Sequence, residues 1–190
     1  MEAFLVSAGV VALAEIGDKT QLLALVLSAR FRRPVPIILG ILVATLANHA
    51  LAGAVGAWLA AVIGPTAMRW ILGLSFIAMA IWALVPDEFD DETAPRPPRY
   101  GIFGTTLIAF FLLEMGDKTQ IATIALAAKY SSLVAVVAGT TLGMMLANVP
   151  AVLLGEVAAK KLPMQVVHRI AAAIFLALGV SVLLGLGNLG

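Results

Sequence analysis

The chain of 190 residues contains no cysteine, and only 12% of its residues are charged. The absence of cysteine excludes disulfide frameworks, thiolate metal sites and catalysis by a thiol. Soluble domains carry about a quarter charged residues, so this chain has too few for an ordinary soluble enzyme. Its formal net charge of +1 supplies no long-range attraction for nucleic acid. These absences indicate a protein whose surroundings are not water.

Apolar residues take the place of the missing charge, at 62% of the chain with a mean hydropathy of +1.04. They form six segments, and a helix that crosses a bilayer needs about 20 residues. The alternation typical of a spanning strand is absent, and a helix satisfies its own backbone hydrogen bonds in lipid. We therefore predict an all-α integral membrane protein with six transmembrane helices. The segments cover roughly residues 3–29, 35–63, 68–85, 101–128, 132–157 and 166–187.

The distribution of Lys and Arg predicts the orientation in the membrane. With six spans, one side holds Arg30, Arg32, Arg33, Arg96, Arg99, Lys160, Lys161 and Arg169. The other side holds Arg69 and Lys129. Because cytoplasmic loops are enriched in basic residues, the first group is predicted to lie inside. Both termini then lie outside and the central loop is cytoplasmic, in a protein of the bacterial inner (plasma) membrane.

The central loop, residues 86–100, contains four prolines and five acidic residues. This composition is typical of a flexible linker. A second interpretation is an acidic strip that attracts cations or regulates the protein. The linker divides the chain into a first three-helix repeat, residues 1–85, and a second, residues 101–190.

A duplicated motif relates the two halves. The segment Glu15–Gln21 recurs 99 residues later as Glu114–Gln120, with six of seven positions identical. Each half holds three predicted spans, and an odd number makes the second half enter the membrane from the opposite side. The sequence therefore predicts an inverted repeat, the plan of many secondary transporters, whose sites lie near the midplane.

Each motif places two carboxylates and a lysine in the middle of a predicted span, where charge is costly to insert. On a continuous helix, Glu15, Asp18 and Lys19 share one face, and the opposite Gly17 would allow a neighbouring helix to approach closely. The second copy repeats this pattern with Glu114, Asp117, Lys118 and Gly116. Intrahelical pairing of each glutamate with its lysine is the purely structural alternative.

Counting charge turns this cluster into a hypothesis about function. The four carboxylates and two lysines leave two negative charges, which one divalent cation or two protons would neutralise. A site that accepts either load meets the minimum requirement of a cation/proton exchanger. Carboxylate oxygens without nearby His or Cys favour hard or borderline-hard cations such as Ca²⁺, Mn²⁺ or Mg²⁺.

The double Glu-x-Gly-Asp-Lys-Thr motif, on the first and fourth of six predicted helices, resembles the calcium/cation antiporter-2 family, which includes bacterial manganese exporters. The resemblance covers essentially the whole chain. It implies a transporter that exchanges Mn²⁺ or Ca²⁺ for protons and has no resident cofactor. Carried over by position, it gives Glu15, Asp18, Glu114 and Asp117 as cation ligands. The motifs are completed by Lys19, Thr20, Lys118 and Thr119.

Other polar residues extend the predicted site. Gln21 and Gln120 continue the polar stripes, and Asn48 and Asn148 occupy matching places in the second and fifth spans. An amide oxygen there could ligate the metal, or the amide could join helices by hydrogen bonds. His49 would suit a proton relay or simple packing.

These features predict a secondary transporter that exports Mn²⁺ and/or Ca²⁺ from the cytoplasm in exchange for protons. No enzymatic activity is expected. The alternative is an exporter of amino acids or other organic cations that uses the same carboxylates. The expected partners are membrane lipid and the divalent cation, without nucleic acid. The oligomeric state stays open between a monomer and a homo-oligomer.

Replacement of Asp18 or Asp117 by Asn is expected to abolish metal transport without preventing folding, because each change removes one negative charge and keeps the side-chain shape. Metal flux into proteoliposomes measures the first effect, and size-exclusion chromatography the second. Normal flux in either variant would contradict the assignment of that aspartate.

Overall fold

The computed structural model describes residues 1–85, 100–154 and 164–186. These residues form eight α-helices and no strand. The first repeat contains α1 (Glu2–Glu15), α2 (Lys19–Phe31), α3 (Pro34–Val62) and α4 (Pro65–Trp82). The second contains α5 (Gly101–Glu114), α6 (Lys118–Lys129), α7 (Leu133–Leu154) and α8 (Met164–Leu183). The all-helical class predicted from the sequence is confirmed for this part of the chain.

The helix expected to carry each motif is broken in two. Gly17 has a φ of 84° and Gly116 a φ of 80°, which no residue of a right-handed helix adopts. Glycine reaches this left-handed region without the clash that a Cβ would cause. The prediction of one continuous helical face was therefore wrong. At Gly116 the predicted close approach of a neighbouring helix was also wrong, because a Cβ at this position would meet nothing within 4 Å.

Four helices are long and apolar enough to cross a membrane by themselves, namely Pro34–Val62, Pro65–Trp82, Leu133–Leu154 and the stretch Gln165–Leu183 within α8. The half-helices are shorter, since α1 and α5 have 14 residues each, α2 has 13 and α6 has 12. Each is too short for the ~20 residues of a full span. The count of six spans requires α1 with α2, and α5 with α6, to cross together, and it stays a prediction.

The two halves pack against each other in equivalent ways. Helix α3 packs against α5, and α7 packs against α1. Gly40 of α3 lies against Phe103 and Thr106 of α5, whereas Gly139 of α7 lies against Phe4 and Ser7 of α1. Every residue in the second contact pair is related to its counterpart by a shift of 99 positions. These small residues bring the long helix of one half onto the first half-helix of the other.

Several sequence predictions lie outside the described residues. They concern residues 86–99 of the linker, including Arg96 and Arg99, and the basic pair Lys160 and Lys161. The proposed orientation and the repeat boundaries therefore stay predictions.

Gly40→Ala is expected to lower the thermal stability of the protein, with a cost of ~1–3 kcal/mol for overpacking. A Cβ at this position would lie 2.8 Å from the Thr106 Cβ and 2.9 Å from the Phe103 carbonyl oxygen. Gly9→Ala is the matched control, because a Cβ at Gly9 in α1 would have no neighbour within 4 Å. Thermal unfolding in detergent compares the two variants. Equal stability of the two would contradict the close packing of α3 on α5.

Candidate metal centre

The breaks in the two motif helices position four buried carboxylates. Glu15 ends α1 and Glu114 ends α5. Asp18 precedes the first residue of α2, and Asp117 holds the same place before α6. All four are at most 2% exposed. Broken helices expose backbone groups and place side chains at the point of the break, which is the usual construction of ion sites in transporters.

Three of these carboxylates come close enough together to share one ion. Glu15, Glu114 and Asp117 each offer an oxygen, and the three oxygens lie within 4.8 Å of one another. Glu15 Oε2 and Glu114 Oε1 are buried and accept no hydrogen bond from the described residues. A buried carboxylate oxygen without a donor is costly unless a cation or a proton occupies it. The structure therefore brings acids from both repeats into one cluster with oxygen lone pairs available to a hard cation.

The lysines of the motifs form ion pairs across the repeats. Lys19 Nζ lies 2.9 Å from Asp117 Oδ1, and Lys118 Nζ lies 3.8 Å from Asp18 Oδ1. The structural alternative, in which each lysine pairs with the glutamate of its own helix, did not predict these contacts. Asp117 is thus both a member of the three-acid cluster and the partner of Lys19. Each repeat supplies the positive charge that faces an aspartate of the other repeat.

Threonine and glutamine fix the shape of each break. Thr119 Oγ1 donates to Glu114 Oε2 at 2.9 Å, and the Thr20 hydroxyl donates in the same way to Glu15 Oε1. Both glutamines close the turn, since the amide nitrogens of Gly17 and Gly116 donate to Gln21 Oε1 and Gln120 Oε1 at 2.9 and 2.7 Å. The glutamine bonds satisfy backbone groups that the break would otherwise leave unpaired. The threonine bonds orient the glutamate carboxylates. Each hydroxyl holds one carboxylate oxygen, so the second oxygen of the same carboxylate stays available to a cation.

The two asparagines occupy different environments despite their matching positions. Asn148 Nδ2 donates to Glu15 Oε1 at 3.1 Å, so this amide contacts the acid cluster directly. Asn48 Oδ1 accepts a hydrogen bond from Gln120 Nε2, and Asn48 Nδ2 lies 3.4 Å from the Phe111 carbonyl oxygen. The interhelical interpretation therefore describes Asn48. Asn148 holds a carboxylate oxygen of the cluster in place.

Two residues next to the site were missed by the sequence analysis. The Val85 carbonyl oxygen accepts a hydrogen bond from Lys118 Nζ at 3.2 Å, and the Trp82 ring centroid lies 5.8 Å from the same nitrogen. Both residues lie at the end of an ordinary apolar segment, residues 68–85, so no motif marks them. His49 is fully buried, and its ring nitrogens make no hydrogen bond to the described residues. Its role as a proton relay stays a prediction.

Comparison with known proteins identifies the family. The sequence model described as "Divalent cation/proton antiporter GDT1" matches residues 3–91 and 102–188. The chain belongs to the GDT1 family. It is also 49% identical over 177 residues to a Vibrio cholerae protein named "Putative manganese exporter", covering 93% of this chain and 88% of that relative. No solved structure matches.

Membership of the GDT1 family confirms the resemblance and identifies an integral membrane transporter of divalent cations. It is a family of transporters and not of enzymes. The predicted alternative, an exporter of organic cations, receives no support from either match.

Because the two asparagines make different contacts, their replacement is expected to weaken metal binding to different extents. Asn148→Ala is expected to weaken Mn²⁺ binding about tenfold, the effect typical of losing a residue that orients a metal ligand. Asn48→Ala is the matched control and should weaken binding less, because Asn48 bonds to Gln120 and not to a carboxylate. Titration of the purified protein with Mn²⁺ measures both. A larger loss in the Asn48 variant would contradict the geometry described here.

Proposed function

We propose that this GDT1-family protein exports Mn²⁺ from the cytoplasm in exchange for protons. The observation that carries the proposal is the cluster of Glu15, Glu114 and Asp117, whose oxygens lie within 4.8 Å of one another. The name of the Vibrio cholerae relative supports manganese as the cargo. Ca²⁺ is the second candidate cargo, because its oxygen ligands overlap with those of Mn²⁺.

The cation would be held by the three clustered carboxylates, with Asp18 as a fourth ligand. Asp18 holds the position in the first motif that Asp117 holds in the second. Its ion pair with Lys118 is longer than the pair between Lys19 and Asp117. One divalent cation compensates the net charge of the four acids and two lysines. Two protons do the same, so the two loads are interchangeable in charge.

The exchange cycle follows from this charge balance. When the site opens to the cytoplasm, the carboxylates lose protons and bind the metal. When it opens to the outside, protons bind to the carboxylates and displace the metal. A site with neither the metal nor the protons, or with both, carries an uncompensated charge in a low-dielectric environment. This charge raises the free energy of the movement that switches the site from one side of the membrane to the other.

The inverted repeat supplies the movement in this proposal. Six spans with both termini outside would place α1 with α2, and α5 with α6, in opposite orientations. The equivalent packing of Gly40 on α5 and Gly139 on α1 supports this relation. In folds of this type, one repeat rocks against the other around a fixed central site.

The decisive test is proton release driven by metal. The purified protein is reconstituted in liposomes that enclose a pH dye, and Mn²⁺ and then Ca²⁺ are added outside. We expect Mn²⁺ entry to drive protons out of the lumen, and Glu15→Gln to abolish this signal. Glu2→Gln is the matched control, because it removes an exposed carboxylate at the other end of α1.

The other outcomes are equally informative. Metal uptake without proton movement would show a channel or uniporter and would refute the charge balance. Absence of flux for both ions would refute the proposed cargo. A full signal with Glu15→Gln would place exchange at another site.

A further inference from the structure

Residues at the end of α4 contact the Lys118 ammonium group in addition to its ion-pair partner Asp18. Lys118 Nζ lies 3.2 Å from the Val85 carbonyl oxygen, which is closer than the 3.8 Å that separates it from Asp18 Oδ1. The Trp82 ring, with its centroid 5.8 Å away, adds the attraction of an aromatic face for a cation. Carbonyl groups at the end of a helix also attract cations. Three groups with partial or full negative charge therefore surround one lysine.

This arrangement bears on how Asp18 becomes available to the metal. In the structure the close cluster contains Glu15, Glu114 and Asp117, while Asp18 faces Lys118. A divalent cation that takes Asp18 as a ligand must separate it from the ammonium group. Moving an unpaired ammonium in the membrane interior is costly. The cost falls when the ammonium keeps partners that do not move away with the aspartate.

We propose that Trp82, together with the Val85 carbonyl group, is a docking site that holds the Lys118 ammonium while Asp18 turns to the transported cation. Trp82 is in this sense a positioning residue, because it acts on the cation through Lys118. The inference rests on the proposed function in taking Mn²⁺ as the bound cation and Asp18 as one of its ligands. It assigns a role to a residue outside the duplicated motif.

Among the residues that the structure describes, the second repeat has no equivalent of this docking site. Phe76 and Phe175 are buried at positions 99 residues apart, and on this register Ser181 corresponds to Trp82. The Ser181 hydroxyl donates to the Leu178 carbonyl oxygen of its own helix at 2.9 Å. Lys19, the counterpart of Lys118, is 25% exposed in its side chain and pairs tightly with Asp117, whereas the side chain of Lys118 is 8% exposed. The two lysines therefore have different surroundings and, we infer, different roles.

The test is the affinity of the purified protein for Mn²⁺, read from the electron paramagnetic resonance signal of free Mn²⁺ in detergent. Trp82→Leu removes the aromatic face, so Lys118 returns to Asp18 and competes with the metal. We expect the Kd for Mn²⁺ to rise about fivefold. Trp82→Phe keeps an aromatic face and should retain most of the affinity. Trp70→Leu is the matched control, since Trp70 lies on the same helix and is 52% exposed.

A double-variant cycle separates docking from simple packing. In a Lys118→Gln background the ammonium is gone, so adding Trp82→Leu should change the Kd no further. An unchanged Kd for Trp82→Leu in the natural background would overturn the proposal. So would the same fivefold loss in the Lys118→Gln background, because it would show that the ring acts through packing.

Loss of folding would not hide the answer. Trp82→Met replaces the ring with a longer, flexible apolar side chain that adapts to the gap, and it gives a second measurement, expected to match Trp82→Leu. The number of sites is fitted separately from the Kd, so a partly folded sample still reports its affinity. Binding of Mn²⁺ without proton exchange would refute the proposed exchange and leave the docking test intact. Absence of Mn²⁺ binding by the unaltered protein would overturn both.

Discussion

The left-handed backbone at Gly17 and Gly116 is the constraint on which the rest of the structure depends. A positive φ ends one helix and starts the next within a few residues, in an apolar setting where unpaired backbone groups are costly. The glutamines of the motif are then required, because they accept hydrogen bonds from the backbone amides that the break exposes, while the threonine hydroxyl of the second motif bonds to its glutamate carboxylate. The same break places a glutamate at one helix end and an aspartate at the next helix start. The motif is thus one physical unit in which the glycine decides where the carboxylates lie.

Cross-pairing of the lysines and aspartates joins the two halves through charge. Lys19 of the first repeat contacts Asp117 of the second, and Lys118 of the second contacts Asp18 of the first. Neither half can therefore move relative to the other without changing the electrostatic surroundings of the acids. In an exchanger, this dependence links the ion bound in the site to the side of the membrane on which the site is open. The packing of Gly40 and Gly139 across the repeats keeps this contact close, since larger side chains would separate the helices.

Much of this molecule could be predicted from sequence because its strongest signals are local or repeated. Apolar segments gave the helical membrane class, and the duplicated motif gave the family and the four acids that the structure buries. The break at Gly17 could not be predicted, because glycine also occurs within membrane helices and its φ is invisible in sequence. The helical-wheel analysis of Glu15, Asp18 and Lys19 failed for this reason. The lysine partners were missed because they depend on how the repeats dock. Trp82 was missed because it lies within the apolar segment 68–85 and belongs to no motif.

The duplication makes the two halves look interchangeable, but their surroundings differ at the points that touch the charged groups. Asn148 bonds to Glu15, whereas Asn48 bonds to Gln120. Lys118 rests against Val85 and Trp82, whereas the position corresponding to Trp82 in the second repeat is Ser181. Two halves with equal surroundings would give the inward-facing and outward-facing sites equal affinity for the cation. An exporter gains from a site that binds metal more tightly on the side where metal is scarce, and such a difference requires residues that break the symmetry. In the proposed export cycle, the motif would supply the shared chemistry of both states, and the unmatched residues around it would supply the difference between them.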